Sequence, residues 1–306
     1  MTVILNQLVI LFALISIGYL LNRIDIIDNM TNKKLSSLVV YVTAPALIIA
    51  GMSAPDIVDS DINIVQIVII SIGCYVFLYL MSLMTPKLLK IPSKDIGIYQ
   101  FMVIFSNVGF MGFPVIESIY GKGAIIYAAL FNLPFYFLIY TLGIYLISLH
   151  GDKYFRFNWR LLANTGVIAV FIGLFFFLTK IPLPIFLYGT VGMLGDLTTP
   201  LAMLIIGSSL ANIPLKSVLL NIKIYLFSIL KLIVYPVVIW IILSNILDNS
   251  LLIGVSVVIA GMPVAANAVM LSKEFDGNEE VASEGVFLST LLSIITIPLL
   301  VFILTR

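Results

Sequence analysis

Long apolar runs recur along the chain, and each is close to the length that a helix needs to cross a bilayer. About 20 residues span a hydrocarbon core of about 30 Å, because a helix rises about 1.5 Å per residue. We place ten such runs at about 3–22, 34–52, 62–85, 97–119, 122–148, 161–179, 185–210, 218–245, 250–272 and 282–304. This pattern predicts an all-α polytopic membrane protein with ten transmembrane helices, embedded in a lipid bilayer.

The composition excludes several other classes of protein. Only 10% of the residues are charged, against about 25% in soluble domains, and the mean hydropathy is +1.19. No basic cluster suggests nucleic acid as a partner. Cys74 and His150 are the only residues of their types, so the sequence predicts no metal site.

The first apolar run lacks a basic start and a small-residue cleavage pattern, which predicts a retained span rather than a signal peptide.

The distribution of cationic residues predicts the orientation in the cell membrane. Under the positive-inside rule, the loops richer in Lys and Arg face the cytoplasm. Twelve of the sixteen Lys and Arg residues fall in alternate loops, and the opposite loops carry only Lys122, Lys180 and Arg306. The bias therefore predicts that both termini are extracytoplasmic, which agrees with an even number of spans.

Proline motifs recur at nearly one offset in the two halves of the chain. TAP at 43–45 matches TTP at 198–200, with prolines 155 residues apart, and GFP at 112–114 matches GMP at 261–263, with prolines 149 apart. A five-span unit used twice is inverted the second time, because five is odd. The sequence thus predicts a first repeat at 1–149, a cytoplasmic linker at 150–160 and an inverted second repeat at 161–306. Kinks without function remain the alternative for these prolines.

Spans 4 and 9 are predicted to be broken near the middle of the bilayer. Proline removes a backbone donor, and glycine adds little helix propensity to resist the break. Half-helices beginning near Pro114 and Pro263 would direct their amide ends at the bilayer centre, where they receive a carboxylate well. The candidate substrate-binding residues are Ser106, Asn107, Gly112, Pro114, Pro263 and Asn267. For either asparagine, a purely structural cap of the broken helix remains open.

Further candidates come from the other matched motif and from charges within the spans. Thr43, Pro45, Thr199 and Pro200 are expected to support breaks in spans 2 and 7. Asp196 and Lys231 lie near the middle of spans 7 and 8, where a charge is costly, so we expect a function for them. Asp196 is the predicted coupling residue for H⁺ or Na⁺, and no other cofactor is expected. A structural Asp196–Lys231 ion pair is the alternative.

At this point the motifs resemble a known family. SNVGFMGFPVIESIYG at 106–121, LGDLTTPLAMLIIGSSLA at 194–211 and GMPVAANAVMLSKEF at 261–275 are similar to motifs of the auxin efflux carrier family, which includes bacterial malate and malonate permeases. The resemblance covers essentially the whole chain. It implies a scaffold domain (helices 1, 2, 6 and 7), a transport domain (helices 3–5 and 8–10), a site where helices 4 and 9 cross, and a homodimer.

The resemblance also distinguishes two branches of that family. It maps the family's asparagine at the helix crossing onto Asn107 and its two prolines onto Pro114 and Pro263. The plant exporters have no asparagine where this chain has Asn267. This chain also lacks the large central loop of the plant exporters, so an auxin substrate is doubtful. We therefore expect a secondary carrier of a small carboxylate anion that works by alternating access. A membrane sensor derived from a transporter, or an intramembrane enzyme, would be the alternative.

Overall fold

The described part of the chain is helical, as the sequence predicts. The computed structural model describes residues 2–54, 62–149, 165–211, 221–275 and 277–304. These residues contain no strand, only one isolated antiparallel bridge between Ser106 and Val264. The predicted linker at 150–160 lies outside the described residues. The all-α prediction is therefore confirmed for the part of the chain that the structure describes.

Many of the helices are short and follow one another with brief interruptions. The described part of the first half contains α1 (Thr2–Arg23), α2 (Asn29–Leu38), α3 (Ala44–Met52), α4 (Ile64–Leu88), α5 (Ile96–Ile104), α6 (Phe113–Tyr120), α7 (Ile125–Phe131), α8 (Leu133–Leu138) and α9 (Ile144–Ser148). Turns of π-helix at Val39–Thr43, Val108–Gly112 and Ile139–Gly143 precede α3, α6 and α9.

The described part of the second half also consists mostly of short helices that follow one another with brief interruptions. It contains α10 (Thr165–Thr179), α11 (Ile185–Asp196), α12 (Thr198–Ala211), α13 (Ile222–Ile229), α14 (Tyr235–Ser244), α15 (Ser250–Ala260), α16 (Asn267–Glu274) and α17 (Glu279–Leu304). Another π-helical turn, Leu230–Val234, joins α13 to α14.

Several of these stretches are long and apolar enough to cross a membrane. Among the described residues five qualify, and a sixth does if the pair Lys122–Phe131 and Leu133–Ser148, bent by 41°, forms one span. The five are Asn29–Met52, Ile64–Leu88, Ile185–Ala211, Ile222–Ser244 and Glu279–Leu304. Shorter apolar helices lie between them, such as Val108–Tyr120 and Ser250–Ala260. The chain is thus a multi-pass membrane protein, and the ten-helix inverted repeat stays a prediction.

The chain divides into two compact units, each built from separate stretches of sequence. Unit 1 contains Met1–Val68, Gly109–Leu133 and Ala163–Asn212, and unit 2 contains Ile69–Val108, Pro134–Leu162 and Ile213–Arg306. The chain passes from unit 2 to unit 1 between Val108 and Gly109, within the predicted span 4. The assignment of a scaffold and a transport role to such units stays a prediction.

In unit 1, α1 and α12 are packed with their backbones in close approach. A Cβ added to Gly207 would lie 1.9 Å from the carbonyl oxygen of Ile15, and one added to Gly18 would lie 2.2 Å from that of Leu204. Small residues permit such approach between membrane helices, where van der Waals packing drives association. The Asn22 side-chain amide then reaches α12 and donates to Ser208 Oγ at 3.2 Å. These glycines therefore fix the distance between the two helices.

In unit 2, the helices that end at the predicted breaks are buried almost along their whole length. Every residue of α5 after Ile96 is buried, as is every residue of α15 after Leu251. A Cβ added to Gly97 would lie 1.9 Å from the Leu146 carbonyl oxygen, so α5 rests directly on the backbone of α9. This packing holds the carboxyl ends of α5 and α15 in fixed positions within unit 2.

Candidate functional site

The chain leaves the helical conformation at 105–107 after α5 and at 261–266 after α15, and these two segments pair with each other. The Asn107 N–H donates to the Pro263 carbonyl at 2.7 Å, and the Ala265 N–H donates to the Phe105 carbonyl at 3.0 Å. Between these bonds, Ser106 and Val264 form the antiparallel bridge. We call the segments 105–107 and 261–266 the paired breaks. All of their pairing residues belong to unit 2.

The pairing explains how interrupted backbone is tolerated in an apolar protein. A backbone polar group that loses its helical partner in a lipid-like environment costs several kcal/mol unless another partner replaces it. Pro263 has no N–H to lose, and its carbonyl is used by Asn107. The N–H of Val264 donates to Ser289 Oγ on α17 at 3.0 Å. The breaks are therefore stabilised by each other and by one hydroxyl from a neighbouring helix.

Three of the predicted substrate-binding residues come together at the paired breaks. Ser106 and Asn107 are 3% and 6% exposed, and Pro263 is also buried. Asn267 is half-buried and is the first residue of α16, directly after the break. Ala266, at the N-cap position, provides no side-chain cap for this helix. The first amides of α16 lack the capping oxygen that many helices have.

One of the two half-helices begins where the sequence predicted and the other begins later. After a π-helical turn that starts at Val108, α6 begins at Phe113, beside Pro114 as predicted, whereas α16 begins at Asn267, four residues after Pro263. Pro114 is tolerated near the start of α6 because α6 follows a π-helical turn, and Pro263 lies in the extended segment. Gly112 and Pro114 are buried and belong to unit 1.

The Lys231 side chain is hydrogen-bonded to the first of the paired breaks and to the end of α5. Its Nζ donates to Ser106 Oγ at 2.7 Å and to the Val103 carbonyl at 2.8 Å, and the side chain is 0% exposed. Both partners belong to the carboxyl end of α5 and the residues just after it. The sequence predicted a function for Lys231 but gave no sign of this contact, because the residues are more than 120 positions apart.

Asp196 has a different partner from the one considered in the sequence analysis. It accepts from Lys122 Nζ at 2.5 Å within unit 1, so the structure contradicts an Asp196–Lys231 ion pair. The two side chains are 53% (Lys122) and 56% (Asp196) exposed. Nearby in the sequence, Thr199 donates to the Glu117 carboxylate at 3.0 Å. Near the break between α11 and α12, two acidic groups thus have partners: Asp196, the last residue of α11, and Glu117 of α6.

The threonines and prolines of the other matched motif lie at or near the boundaries between helical segments. Thr43 is the last residue of a π-helical turn and Pro45 lies at the start of α3. α11 ends at Asp196, and Pro200 lies near the start of α12. The hydroxyls of Thr43 and Thr198 are buried and have no hydrogen-bond partner among the described residues. The support role of these residues stays a prediction.

Unit 2 also has an apolar cavity of about 470 Å³ that is open to the surface, since several of its lining side chains, such as Val76 and Phe137, are exposed. It is lined by side chains of α4, of α8 and of the π-helical turn after α8, and by Ile104, the residue before the first break. Pockets that hold small organic molecules have volumes of about 300–1,000 Å³. The cavity is therefore large enough for the apolar part of a small molecule.

Comparison with known proteins identifies the family. The model of the membrane transport protein family (Mem_trans) matches residues 3–301. An uncharacterized transporter of Methanothermobacter thermautotrophicus is 26% identical over 291 residues, which cover 94% of each chain. Another uncharacterized transporter, from Methanocaldococcus jannaschii, is 23% identical over 302 residues, which cover 96% of this chain and 97% of the relative. The chain belongs to the membrane transport protein family, which is the auxin efflux carrier family that its motifs resemble.

Proposed function

We propose that this membrane transporter is a secondary carrier that moves a small organic anion across the cell membrane by alternating access, with the anion bound at the paired breaks. The observation that carries the proposal is the pairing of 105–107 with 261–266 inside unit 2. Broken helices in corresponding positions of two repeats are typical of the binding sites of secondary transporters.

The chemistry of the paired breaks supports an anion as the substrate. The uncapped amino end of α16 carries a partial positive charge, which favours a carboxylate. The side-chain amides of Asn107 and Asn267 can both donate and accept hydrogen bonds, so they can orient a carboxylate. Among the described residues, no group of His, Cys, Asp or Glu could hold a metal ion.

The apolar cavity beside Ile104 bears on the class of carboxylate. An acid with an apolar body, such as an aromatic acid, could bury that body there while its carboxylate lies at the breaks. Malate and malonate have little apolar surface to bury. Aromatic monocarboxylates therefore belong in the substrate screen beside the malate and malonate that the family resemblance suggests.

A flux assay in proteoliposomes tests the proposal. Purified protein is reconstituted, and uptake of labelled malate, malonate and phenylacetate is measured with separately imposed pH, Na⁺ and voltage gradients. We expect saturable uptake of at least one anion that increases with one gradient. Protein-free liposomes serve as the control. If no anion shows uptake that depends on the protein and a gradient, the proposal is wrong.

We retain Asp196 as the proposed coupling residue for H⁺ or Na⁺, now with Lys122 as its partner. Replacing Asp196 with Asn removes the charge and preserves the shape of the side chain. We expect gradient-driven accumulation to be lost while exchange of labelled for unlabelled anion continues. Asp248→Asn, at an exposed position before α15, is the matched control. Accumulation at the wild-type level in the Asp196 variant would contradict the assignment.

The proposed orientation, with both termini outside the cell membrane, is open to chemical labelling. Cys74 is 4% exposed, so it should react poorly with a membrane-impermeant maleimide. We expect a single cysteine at Lys180 to react in intact spheroplasts, and one at Lys94 to react only after permeabilisation. Both positions are exposed. The reverse order of labelling would contradict the predicted orientation.

A further inference from the structure

Lys231 is a buried basic side chain with no acidic partner among the residues that the structure describes. The other buried charged side chains in that part are Asp95 and Glu284, which accept hydrogen bonds from Asn278 and Asn221, respectively. The Lys231 ammonium instead donates to one carbonyl and one hydroxyl. A buried charge is expensive unless an opposite charge compensates it. We therefore expect Lys231, which lies beside a candidate binding site, to have a function that uses its charge.

The local backbone directs Lys231 to this position. Lys231 is the second residue of the π-helical turn Leu230–Val234, which interrupts the helix between α13 and α14. Turns of this kind insert an extra residue into a helix and are frequent at functional sites. The extra residue shifts the side chains that follow it around the helix axis. The turn therefore offers a structural reason for the contact between Lys231 and the end of α5.

The bond to Ser106 connects the charge to the paired breaks. Ser106 Oγ accepts a hydrogen bond from Lys231, which leaves its own hydroxyl hydrogen available as a donor. A hydroxyl that accepts from an ammonium becomes a stronger donor, because successive hydrogen bonds polarise one another. Ser106 is also the residue that bridges to Val264. A carboxylate at the breaks would thus accept a hydrogen bond from the Ser106 hydroxyl, which itself accepts one from Lys231.

We propose that Lys231 supplies the positive charge that balances the carboxylate of the transported anion, acting through Ser106. This inference rests on the proposed function and makes it more specific. Lys231 is the only buried basic side chain in the described residues, so under this proposal one full positive charge serves the anion. The substrate class is then an acid that presents a single carboxylate to the breaks. Lys231 is a positioning residue, since it acts through Ser106.

A purely structural role for Lys231 makes different predictions. The Val103 carbonyl lies in the last turn of α5, where a lysine can satisfy it and interact favourably with the helix end. If that were its only role, Lys231→Met would lower the melting temperature of the empty protein and leave the response to anions intact. If Lys231 serves the anion, the empty protein loses an uncompensated charge and should melt no lower than wild type, because hydrophobic replacement of buried charges is often neutral or stabilising.

The experiment compares melting temperatures and affinities of purified full-length protein in detergent. The probes are phenylacetate with its neutral amide, phenylacetamide, and malonate with its half-amide, malonamate. The variants are Lys231→Met, Lys231→Arg and the control Lys223→Met, which removes a lysine that donates to the Lys90 carbonyl elsewhere in unit 2. A change of overall fold in any variant is checked by size-exclusion chromatography.

We expect Lys231→Met to weaken the binding of the carboxylate that stabilises wild type by roughly thirtyfold or more, the scale for removing one partner of a buried charge pair. The Lys231→Met variant should also lose the preference for phenylacetate over phenylacetamide. Lys231→Arg should keep that preference, and Lys223→Met should resemble wild type. Malonamate, with one carboxylate, should bind at least as well as malonate.

Two outcomes separate failure of this inference from failure of the proposed function. If wild type responds to a carboxylate and Lys231→Met responds equally, or if the variant melts lower and keeps its preference for the carboxylate, the role of Lys231 is wrong while anion binding stands. If no carboxylate stabilises wild type and none is transported, the proposed function is wrong, and the role of Lys231 falls with it.

Discussion

Replacing Asn107 with alanine is expected to weaken binding of the transported anion strongly while leaving the protein folded. The pairing of the breaks does not depend on this side chain, because the bond to Pro263 uses the backbone N–H of Asn107. The variant therefore removes the side-chain amide alone from a position that is 6% exposed. Hydrogen bonds to a charged group contribute about 1.5–3 kcal/mol each, so the loss of affinity should be roughly tenfold to a hundredfold.

The measurement is a titration of purified protein with the anion that the flux assay identifies, followed by a thermal shift. Asn245→Ala is the matched control, since Asn245 is exposed and bonds only locally to the Ile241 carbonyl. Asn107→Asp should also bind poorly, because it places a negative charge beside the carboxylate. If Asn107→Ala binds the anion with wild-type affinity, the paired breaks are not the binding site.

The breaks themselves could be located from the sequence because their causes are local. Proline and glycine act on the backbone within a few residues, so the motifs at 112–114 and 261–263 marked interrupted helices directly. Of the next helices, α6 begins at Phe113, beside Pro114 as predicted, whereas α16 begins four residues after Pro263. Pro114 fits near the start of α6, so the interruption could move upstream to 105–107. A proline thus indicates that a helix is weakened nearby rather than where it ends.

The partners of the charged residues could not be derived in this way. The sequence suggested that Lys231 and Asp196 have functions, because charges in apolar runs are costly. Their partners, Ser106 and Lys122, are separated from them by 125 and 74 residues. Only the packing of α5 against its neighbours, and of α11 within unit 1, decides which side chains meet. No periodicity or motif in one sequence carries that information.

The close helix contacts in unit 1 were missed for a similar reason, although a weak signal was present. Glycine beside proline predicts a break in a helix. Gly18 and Gly207 lie in regular helices, and their importance comes from the backbone on the other side. Small residues within apolar runs are a known sign of close helix packing in membranes. That sign does not say which helix is approached.

Replacing Gly207 with valine is therefore expected to prevent correct folding of unit 1. The new Cβ would lie 1.9 Å from the Ile15 carbonyl oxygen and 2.8 Å from the Tyr19 nitrogen, and backbone atoms cannot move aside as a flexible side chain can. Overpacking usually costs about 1–3 kcal/mol and occasionally more. Because the clash here is with backbone, we expect the upper end of that range, about 3 kcal/mol or more. We also expect low yield and aggregation on size-exclusion chromatography.

The control for this prediction is Gly189→Val on α11, in the same unit. Nothing lies within 4 Å of a Cβ built at Gly189, so the variant introduces the same β-branched residue into a helix without a clash. Any intrinsic effect of valine on helix formation or membrane insertion is then common to both proteins. A Gly207→Val protein that is monodisperse and melts as high as Gly189→Val would show that α1 and α12 are not in backbone contact. The packing described for unit 1 would then be wrong, whereas the paired breaks of unit 2 would be unaffected.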